Sequence, residues 1–458
     1  MSLTSRDIAV RALRDRSGNI TAHLERLLTE LTLSGADRGL AHEITIGVVR
    51  HRSTIDAILM SYLHQRKKKV PSPVKEILQV AIYQIFFLQK VPAFAAVDEA
   101  VKQIVRSHHK RQGGMVNGLL RTMIREMAAP SPEALEPEMT ENIIPLGDGR
   151  VRRMARAIFH DPQKRLVDYY AGAYSLQPEL VTRWIEAFGE TRAREIMKHT
   201  LQRPPLICRV NTLKTDIAGA TASLAADGVD VIPHENGLSL ILPNAHGLTD
   251  LGAFIDGLIQ PQDATATKVV ASMKLKPGMR VLDFCAAPGT KTTHIAERLG
   301  NKGEILAVDV SRSKLARIDE NCERMGISIV KTVLADEAAQ HLEPRSYDAV
   351  LLDVPCSNTG VLSRRPEARW RFEDKAMGKL IKDQQFIAMA GGQFVKPGGH
   401  LMYSTCSIEE DEDYRVAKGL PKRVGHLKLK SDELTLPTGT AETPETWYDG
   451  GYFATFEG

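Results

Sequence analysis

Residues 280–292, RVLDFCAAPGTKT, decide the fold of the carboxyl-terminal part of this chain. An apolar run of strand length is followed by small residues and then by residues that can open a helix. Small side chains in such a turn let a ligand approach the backbone, and free N–H groups at a helix start favour a polar or anionic group. The turn matches neither GxGxxG nor GxxxxGK[ST], which argues against a dinucleotide site and against a P-loop.

Four apolar segments downstream continue an alternation of strand, loop and helix. The strands read EILAVDV, VKTVL, YDAVLLD and GHLMYS, and helical stretches such as 313–325 and 374–394 separate them. This alternation predicts a doubly wound, Rossmann-like parallel sheet over residues 263–458. Ligands of such sheets bind beyond the carboxyl ends of the strands.

Carboxylates follow three of these strands at the predicted binding edge. Asp309 ends the second strand, 20 residues after Gly289, where a Rossmann-like fold places a carboxylate on ribose hydroxyls. Asp336 follows the third strand and Asp353 ends the fourth. Each alone would more often be a helix cap or a solvated loop residue, but three in register predict a cofactor of nucleoside type.

The cysteines fall into two groups. Their odd number and wide spacing exclude a disulfide framework, and neither they nor the histidines show a metal-binding spacing, so we expect no metal. Cys208, Cys285 and Cys322 are interpreted as small buried side chains. Cys356 in DVPCSNTG and Cys406 in YSTCSI instead lie just beyond strand ends, in Ser/Thr-flanked turns where N–H groups favour a reactive thiolate.

The amino-terminal residues 1–129 combine a helical period with positive charge. Breaks near residues 18, 34, 71 and 91 predict a bundle of about six helices with an apolar helix over 74–88 at its centre. This part has 20 Lys/Arg and 11 Asp/Glu, so its net charge of +9 exceeds the +4 of the whole chain. Such a charge would attract a polyanion, although a solvated surface is equally consistent with it.

Length and composition set the domain plan. With 458 residues and 43% hydrophobic residues, the chain is a multidomain globular protein rather than a mini-protein or a disordered tail. Residues 130–165 are proline-rich and then aperiodic, which predicts a linker. Residues 166–262 mix a helix over 178–188 with strands over 206–210 and 238–242, which predicts a small α+β domain. No apolar run is long enough to span a membrane, and we expect a cytoplasmic protein.

Four segments carry a resemblance to a known family. They read VLDFCAAPGTKT, AVDVSRSKL, LLDVPCSNTGVLSRRPEARW and LMYSTCSIEE, and together they resemble the RNA cytosine carbon-5 methyltransferases, which use S-adenosylmethionine. Upstream, VPAFAAVDEAVK and GGMVNGLLRTMIRE resemble a NusB-like RNA-binding domain, and RVNTLK at 209–214 resembles the start of the methyltransferase part. This order implies an enzyme that acts on bacterial 16S ribosomal RNA, as a monomer and without contact to DNA.

The resemblance also implies roles for single residues. Asp309 would bind the cofactor's ribose, and Asp336 would lie by its adenine. Asp353 would contact both the cofactor and the target cytosine, Cys406 would be the nucleophile, and Cys356 would help to release the product. The cofactor loop would consist of Cys285, Ala286, Ala287, Pro288, Gly289, Thr290 and Lys291.

Three residues depart from the motifs APGGKT and DAPCSGTG that are usual in this family. They are Thr290, Val354 and Asn358, and none of them replaces a reacting group. Asn tolerates the left-handed conformation, so Asn358 can take the turn position of a glycine. The same chemistry on transfer RNA or 23S ribosomal RNA, and a non-catalytic RNA-binding assembly factor, remain open as alternatives.

Basic residues supply further candidates for RNA contact. Arg364, Arg365, Arg369 and Arg371 surround Trp370 and would hold phosphates beside a stacked base, or else form a salt-bridged surface loop. Lys67–Lys69 and Lys110–Arg111 are shorter runs that would either grip RNA or lie in solvent.

Overall fold

The computed structural model of the protein describes residues 3–15, 20–31, 33–63, 70–107, 109–132, 139–245 and 247–458. The chain forms two compact units. The first comprises Met1–Arg203 and Leu362–Phe372, and the second comprises Pro204–Val361 and Glu373–Gly458. These bounds differ from the predicted domains 1–129, 166–262 and 263–458. No helix in the described ranges is both long enough and apolar enough to cross a membrane.

A helical bundle begins the first unit. Its α-helices in the described residues are α1 (Ser5–Leu13), α2 (Ile20–Glu30), α3 (Gly35–Arg50), α4 (Arg52–Leu63), α5 (Ser72–Phe87), α6 (Ala93–Arg106) and α7 (Gly113–Arg125). The apolar helix α5 lies at the centre as predicted, with Leu78, Ile82 and Phe86 almost fully buried. The sequence predicts one helix fewer because the break at His51, between α3 and α4, has no glycine or proline to mark it.

The segment predicted as a linker contains a small sheet. Strands β1 (Ser131–Pro132), β2 (Ile143–Pro145) and β3 (Arg150–Arg153) pair antiparallel in the order β1-β3-β2. The half-buried Arg156 forms a bidentate ion pair with Glu126, in which Nε and Nη2 donate to the two carboxylate oxygens at 2.6 and 2.8 Å. This ion pair anchors the end of the segment. The linker prediction over 130–165 is therefore wrong, because short strands and tertiary ion pairs leave no periodic apolar pattern in the sequence.

Helices α8 (Leu166–Ala173) and α9 (Pro178–Leu201) complete the first unit together with residues Leu362–Phe372. The guanidinium of Arg369 is fully buried there. Its Nη1 donates to the carbonyls of Arg50 and Ser175 at 2.9 and 3.1 Å, and its Nη2 donates to those of Thr200 and Leu362 at 2.9 and 3.2 Å. One side chain thus satisfies carbonyl groups from four separate places in the first unit.

We predict that Arg369→Met lowers the free energy of unfolding of the first unit by about 3 kcal/mol, because buried carbonyls lose their donors. Urea unfolding of the full chain, followed by circular dichroism, measures this change. Arg371→Met is the matched control, since Arg371 lies in the same segment but is exposed. Equal stability of the two variants would contradict the anchoring role of Arg369.

The second unit begins with a small α+β layer. Strands β4 (Leu206–Val210), β5 (Ile232–Pro233), β6 (Ser239–Leu242) and β7 (Ile259–Pro261) form an antiparallel sheet in the order β5-β6-β4-β7, with helices α10 (Ile217–Ala226) and α11 (Gly252–Ile255). The predicted strands at 206–210 and 238–242 match β4 and β6. The helix predicted over 178–188 is the start of α9, which belongs to the first unit.

A seven-stranded sheet forms the rest of the second unit. Its strands are β8 (Arg280–Phe284), β9 (Glu304–Asp309), β10 (Val330–Leu334), β11 (Tyr347–Asp353), β12 (Val395–Thr405), β13 (Lys428–Thr435) and β14 (Gly451–Glu457). Its helices are α12 (Ala264–Ala271), α13 (Thr290–Arg298), α14 (Arg312–Met325), α15 (Asp374–Gly392) and α16 (Tyr414–Arg423). The strand order is β10-β9-β8-β11-β12-β14-β13.

All five predicted strands of this sheet are confirmed, and they pair in parallel. The sheet extends beyond the predicted strands at one edge, where β14 pairs antiparallel with both β12 and β13. The polar strand β13 alternates too irregularly to be recognised from its sequence, since most of its side chains face solvent.

A buried arginine joins the small sheet to the start of α13. Arg209 on β4 donates to both carboxylate oxygens of Glu297 at 3.1 and 2.6 Å and to Gln262. It also donates to the carbonyl of Thr290 at 3.0 Å and to the hydroxyl of Thr293 at 3.2 Å. The first turn of α13, which follows the small-residue loop, is therefore held from the side of the small sheet.

Candidate active site

The carboxyl ends of four neighbouring parallel strands form the candidate site. These are β9, β8, β11 and β12, in that order across the sheet. Asp353 at the end of β11 pairs in register with Ser404 near the end of β12. Because the ends coincide, the loops that follow the strands, with Cys285, Cys356 and Cys406, emerge at one edge.

The loop after β8 turns sharply into α13. Gly289, which precedes the helix, has a φ of +93°, and a Cβ atom there would lie 2.8 Å from a side-chain carbon of Ile318. Only glycine fits this position. Cys285 and Ala286 both donate their N–H groups to the carbonyl of Val308, at 2.9 and 3.0 Å, which fastens the loop to the neighbouring strand β9.

Asp309 braces the same loop from the end of β9. Its carboxylate accepts the N–H of Ala287 and the N–H of Ser311, each at 3.1 Å. Asp336 follows β10 and is exposed. The N–H of Ala335, directly after β10, donates to the backbone carbonyl of Asp309 at 3.0 Å. Next to Asp309, the apolar side chain of Val310 is 84% exposed. The sequence analysis did not single out Val310, although an apolar residue directly after a strand-ending carboxylate was visible.

Asp353 is held by a lysine and a serine. Lys291 donates to one carboxylate oxygen at 2.7 Å, and the hydroxyl of Ser404 donates to the other at 2.8 Å. Burial acts to lower the pKa of Lys291, but the Asp353 carboxylate outweighs it and raises the pKa above its ordinary value. Lys291 therefore stays charged, and it connects the small-residue loop to the end of β11.

The two loop cysteines are in contact. The Sγ atoms of Cys356 and Cys406 lie 3.2 Å apart. Cys356 is buried, whereas Cys406 is partly exposed. The hydrogen bond to Cys406, then burial, then the nearby charges of Cys406 and Glu412, raise the pKa of Cys356 well above its ordinary value. Cys356 thus keeps its proton beside the more accessible thiol.

A buried glutamate that the sequence analysis missed connects the two cysteine loops. Glu412 accepts the N–H of Ser357 at 2.9 Å and is also hydrogen-bonded to the Ser357 hydroxyl. The hydroxyl of Ser407 donates to it at 2.8 Å and the amide of Gln384 at 2.9 Å. Glu412 lies in the acidic run EEDED, which resembles a solvated surface segment. Its burial could not be read from that composition.

Asp283, inside β8, is a second buried carboxylate near the site. The hydroxyl of Thr292 donates to one of its oxygens at 2.7 Å, while the other has no hydrogen-bond partner in the structure. Burial and the neighbouring charges of Asp353 and Asp309 raise the pKa of Asp283 to about 7, although the Thr292 bond and Lys291 act against them. In the part of the chain that the structure describes, no cluster of side chains is suited to hold a metal ion.

The arginines around Trp370 differ in exposure: Arg365 and Arg371 are exposed, Arg364 is partly exposed, and Arg369 is buried. Arg369 is buried against backbone carbonyls, so the suggestion that it holds RNA is wrong. The indole N–H of Trp370 donates to the carbonyl of Val49 at 2.8 Å, and Arg52 stacks over its ring at 5.7 Å. Lys110 and Arg111 are exposed, as an RNA contact requires, whereas Lys67–Lys69 lie outside the described residues.

Sequence comparison places three regions of the chain in known families. Residues 270–448 match the profile of 16S rRNA methyltransferase RsmB/F, and residues 3–125 match the NusB family. Residues 179–246 match the ferredoxin-like domain of RsmF/B-like methyltransferases. A probable ribosomal RNA small subunit methyltransferase B of Bacillus subtilis (strain 168) is 30% identical over 417 residues, which cover 90% of this chain and 86% of the relative. The chain belongs to the RsmB/F methyltransferase family.

A second relative agrees with this assignment, and two solved structures share the fold. A probable ribosomal RNA small subunit methyltransferase B of Synechocystis is also 30% identical, over 90% of this chain and 87% of its own. The crystal structure of PH0851 covers 100% of both chains with a TM-score of 0.74 at 23% identity, which shows the same fold. The structure of NSun6 from Pyrococcus horikoshii with SFG covers 61% of this chain and 97% of its own, with a TM-score of 0.51 at 22% identity.

S-adenosylmethionine is the cofactor of the RsmB/F family, and the described residues fit it. The small-residue loop and the first N–H groups of α13 suit the cofactor's carboxylate. Asp309 retains lone pairs for ribose hydroxyls, since each of its oxygens accepts only one backbone N–H. Val310 offers an uncovered apolar surface to the flat adenine ring. When bound, the cofactor supplies an electrophilic methyl group.

We predict that iodoacetamide modifies Cys406 first when the native protein is treated at pH 8. Burial raises the pKa values of Cys285 and Cys322 to about 12, which leaves them about 10³-fold less thiolate than an ordinary cysteine at that pH. Cys356 and Cys208 are buried. Peptide mass spectrometry measures the order of labelling, with Cys406→Ser as the control, and faster labelling of any other cysteine would refute the prediction.

We predict that Asp283 makes the second unit less stable as the pH rises from about 4 to about 7. Its folded pKa of about 7 exceeds the ordinary 3.8, so its contribution is fully present below pH 4 and is lost by pH 7, an effect of the order of 4 kcal/mol. Urea unfolding at several pH values should give Asp283→Asn a flatter profile. Asp319→Asn, on the surface side of α14, should keep the wild-type profile, and parallel profiles for all three proteins would exclude this role.

Proposed function

We propose that the protein transfers a methyl group from S-adenosylmethionine to carbon 5 of a cytosine in 16S ribosomal RNA. The observation that carries the proposal is the 3.2 Å contact between the Cys356 and Cys406 thiols at the edge of the sheet that also holds Asp309 and Asp353. Carbon 5 of cytosine is a weak nucleophile, and covalent addition of a thiolate at carbon 6 activates it. A site with two adjacent thiols can both form and dissolve such an adduct.

Cys406 is the nucleophile in this proposal. This residue is partly exposed, whereas Cys356 is buried and retains its proton. The thiolate of Cys406 forms an Sγ–C6 bond, and the electron pair displaced from the C5–C6 double bond makes carbon 5 able to accept the methyl group. The target base must be unstacked or single-stranded to reach the thiol.

Asp353 and Lys291 orient the cytosine. The Asp353 carboxylate is fixed by Lys291 and Ser404, so it offers a rigid acceptor to the exocyclic amino group of the base. Lys291 supplies a charged donor next to the same position. Because these groups are already paired, they lose little entropy when the substrate binds.

Cys356 acts in product release. After methyl transfer, the proton on carbon 5 must leave to a base, and the electrons of the C5–H bond restore the double bond as the Sγ–C6 bond breaks. The Cys356 thiol lies 3.2 Å from the Cys406 sulfur and retains its proton, so we assign it to give that proton to the departing sulfur, while a water molecule takes the carbon-5 proton and solvent later reprotonates Cys356. The amino-terminal bundle, with exposed Lys110 and Arg111 among its cations, would recruit the RNA.

We predict that the protein incorporates label from methyl-labelled S-adenosylmethionine into unmodified 16S RNA as 5-methylcytosine. Cys406→Ala should lower the rate at least about 10³-fold, because covalent activation is lost. Cys356→Ala should form an RNA adduct that survives denaturing electrophoresis, because release fails. Cys322→Ala is the matched control and should retain activity, since that thiol lies on α14 away from the paired cysteines.

The choice of RNA separates the alternatives. Transfer to transfer RNA or 23S RNA, with none to 16S RNA, would preserve the chemistry and replace the substrate. Binding of ribosomal RNA with neither S-adenosylmethionine affinity nor methyl transfer would favour an assembly factor. Full activity of Cys406→Ala would refute the assigned nucleophile.

A further inference from the structure

Asn358 contacts both cysteines of the candidate site. Its backbone is left-handed, with a φ of 63°, a turn conformation that glycine adopts without strain. Its side-chain Nδ2 donates to the carbonyl of Cys356 at 2.8 Å. This bond fixes the orientation of the amide, so that Oδ1 faces Cys406 and accepts a hydrogen bond from its thiol at 3.3 Å.

The backbone N–H of Asn358 adds a third interaction, because it is directed at the thiol of Cys356 and acts to lower the pKa of that group. A glycine in the same conformation would keep this backbone contact. The two side-chain contacts are therefore the addition that asparagine makes. The amide bridges the Cys356 backbone and the Cys406 sulfur across the gap between the two loops.

We infer that Asn358 is a positioning residue that orients the Cys406 thiol and restrains its reaction in the resting protein. A carbonyl oxygen stabilises an S–H group as a hydrogen-bond acceptor but repels a thiolate, since both then present lone pairs. Lys291 acts in the opposite sense by its charge, Glu412 adds negative charge nearby, and Cys356 offers its own S–H. Asp413 also faces Cys406, but burial raises the pKa of this carboxyl well above its ordinary value. The inference rests on the proposed role of Cys406 as nucleophile only for its consequence in catalysis.

Alkylation of Cys406 by iodoacetamide tests the inference without RNA or cofactor. In this reaction an S–C bond forms, iodide leaves, and the thiol proton goes to the buffer. Asn358→Gly should react about three- to tenfold faster at pH 7, which is the value of one hydrogen bond. Asn358→Asp, which adds a negative charge beside the sulfur, should react more slowly.

Asn301→Gly is the matched control. Asn301 also has a positive φ, of 54°, but its side chain bonds to Gly326 and Ser328 at the opposite end of β9. Cys406 in the Asn301→Gly variant should be alkylated at the same rate as in the wild type. Equal rates for Asn358→Gly and wild type would overturn the inference, as would a change in the same direction for the glycine and aspartate variants, because a loosened loop acts alike in both.

The two proposals fail separately. If Asn358→Gly is alkylated faster but the wild type transfers no methyl group, the role of Asn358 is supported and the proposed reaction is refuted. If the wild type transfers methyl groups but Asn358→Gly is alkylated at the wild-type rate, the proposed reaction is supported and the role of Asn358 is refuted.

Discussion

The parallel pairing of β11 with β12 is the constraint on which the site depends. Asp353 lies opposite Ser404 in this pairing, so the two loops begin at the same level of the sheet. A slip of one residue would reverse the direction in which each following side chain points. Asp353 would then lose its serine partner, and the cysteine sulfurs could not meet. Glu412 adds a second, local link by accepting hydrogen bonds from both loops.

Much of this arrangement could be predicted from the sequence because apolar strands and strand-ending carboxylates follow simple rules. The five parallel strands have near-continuous apolar runs, and the positions of Asp309, Asp353, Cys356 and Cys406 at their ends follow from counting along the chain. The left-handed conformation of Asn358 was also predictable, since asparagine tolerates it. These features depend on local sequence alone.

Other features depend on partners far apart in the chain and were not predictable. The acidic run around Glu412 has the composition of a solvated segment. Its burial is acceptable because the N–H and hydroxyl of Ser357, the hydroxyl of Ser407 and the amide of Gln384 all donate to it. The strands within 130–165 are too short for a period to be recognised. Arg369 has the same local setting as Arg371, yet one is buried and the other exposed, because only Arg369 reaches unsatisfied carbonyls.

The route of the chain through residues 362–372 has a consequence for biosynthesis. This segment follows β11 in sequence but folds into the first unit, so that unit is not a continuous stretch of polypeptide. During translation, the carbonyls of Arg50, Ser175 and Thr200 are made long before the guanidinium that will satisfy them. These carbonyls therefore cannot pair with Arg369 until more than half of the second unit has been synthesised. A fragment ending at residue 203 would lack Arg369, so these carbonyls would never receive its hydrogen bonds.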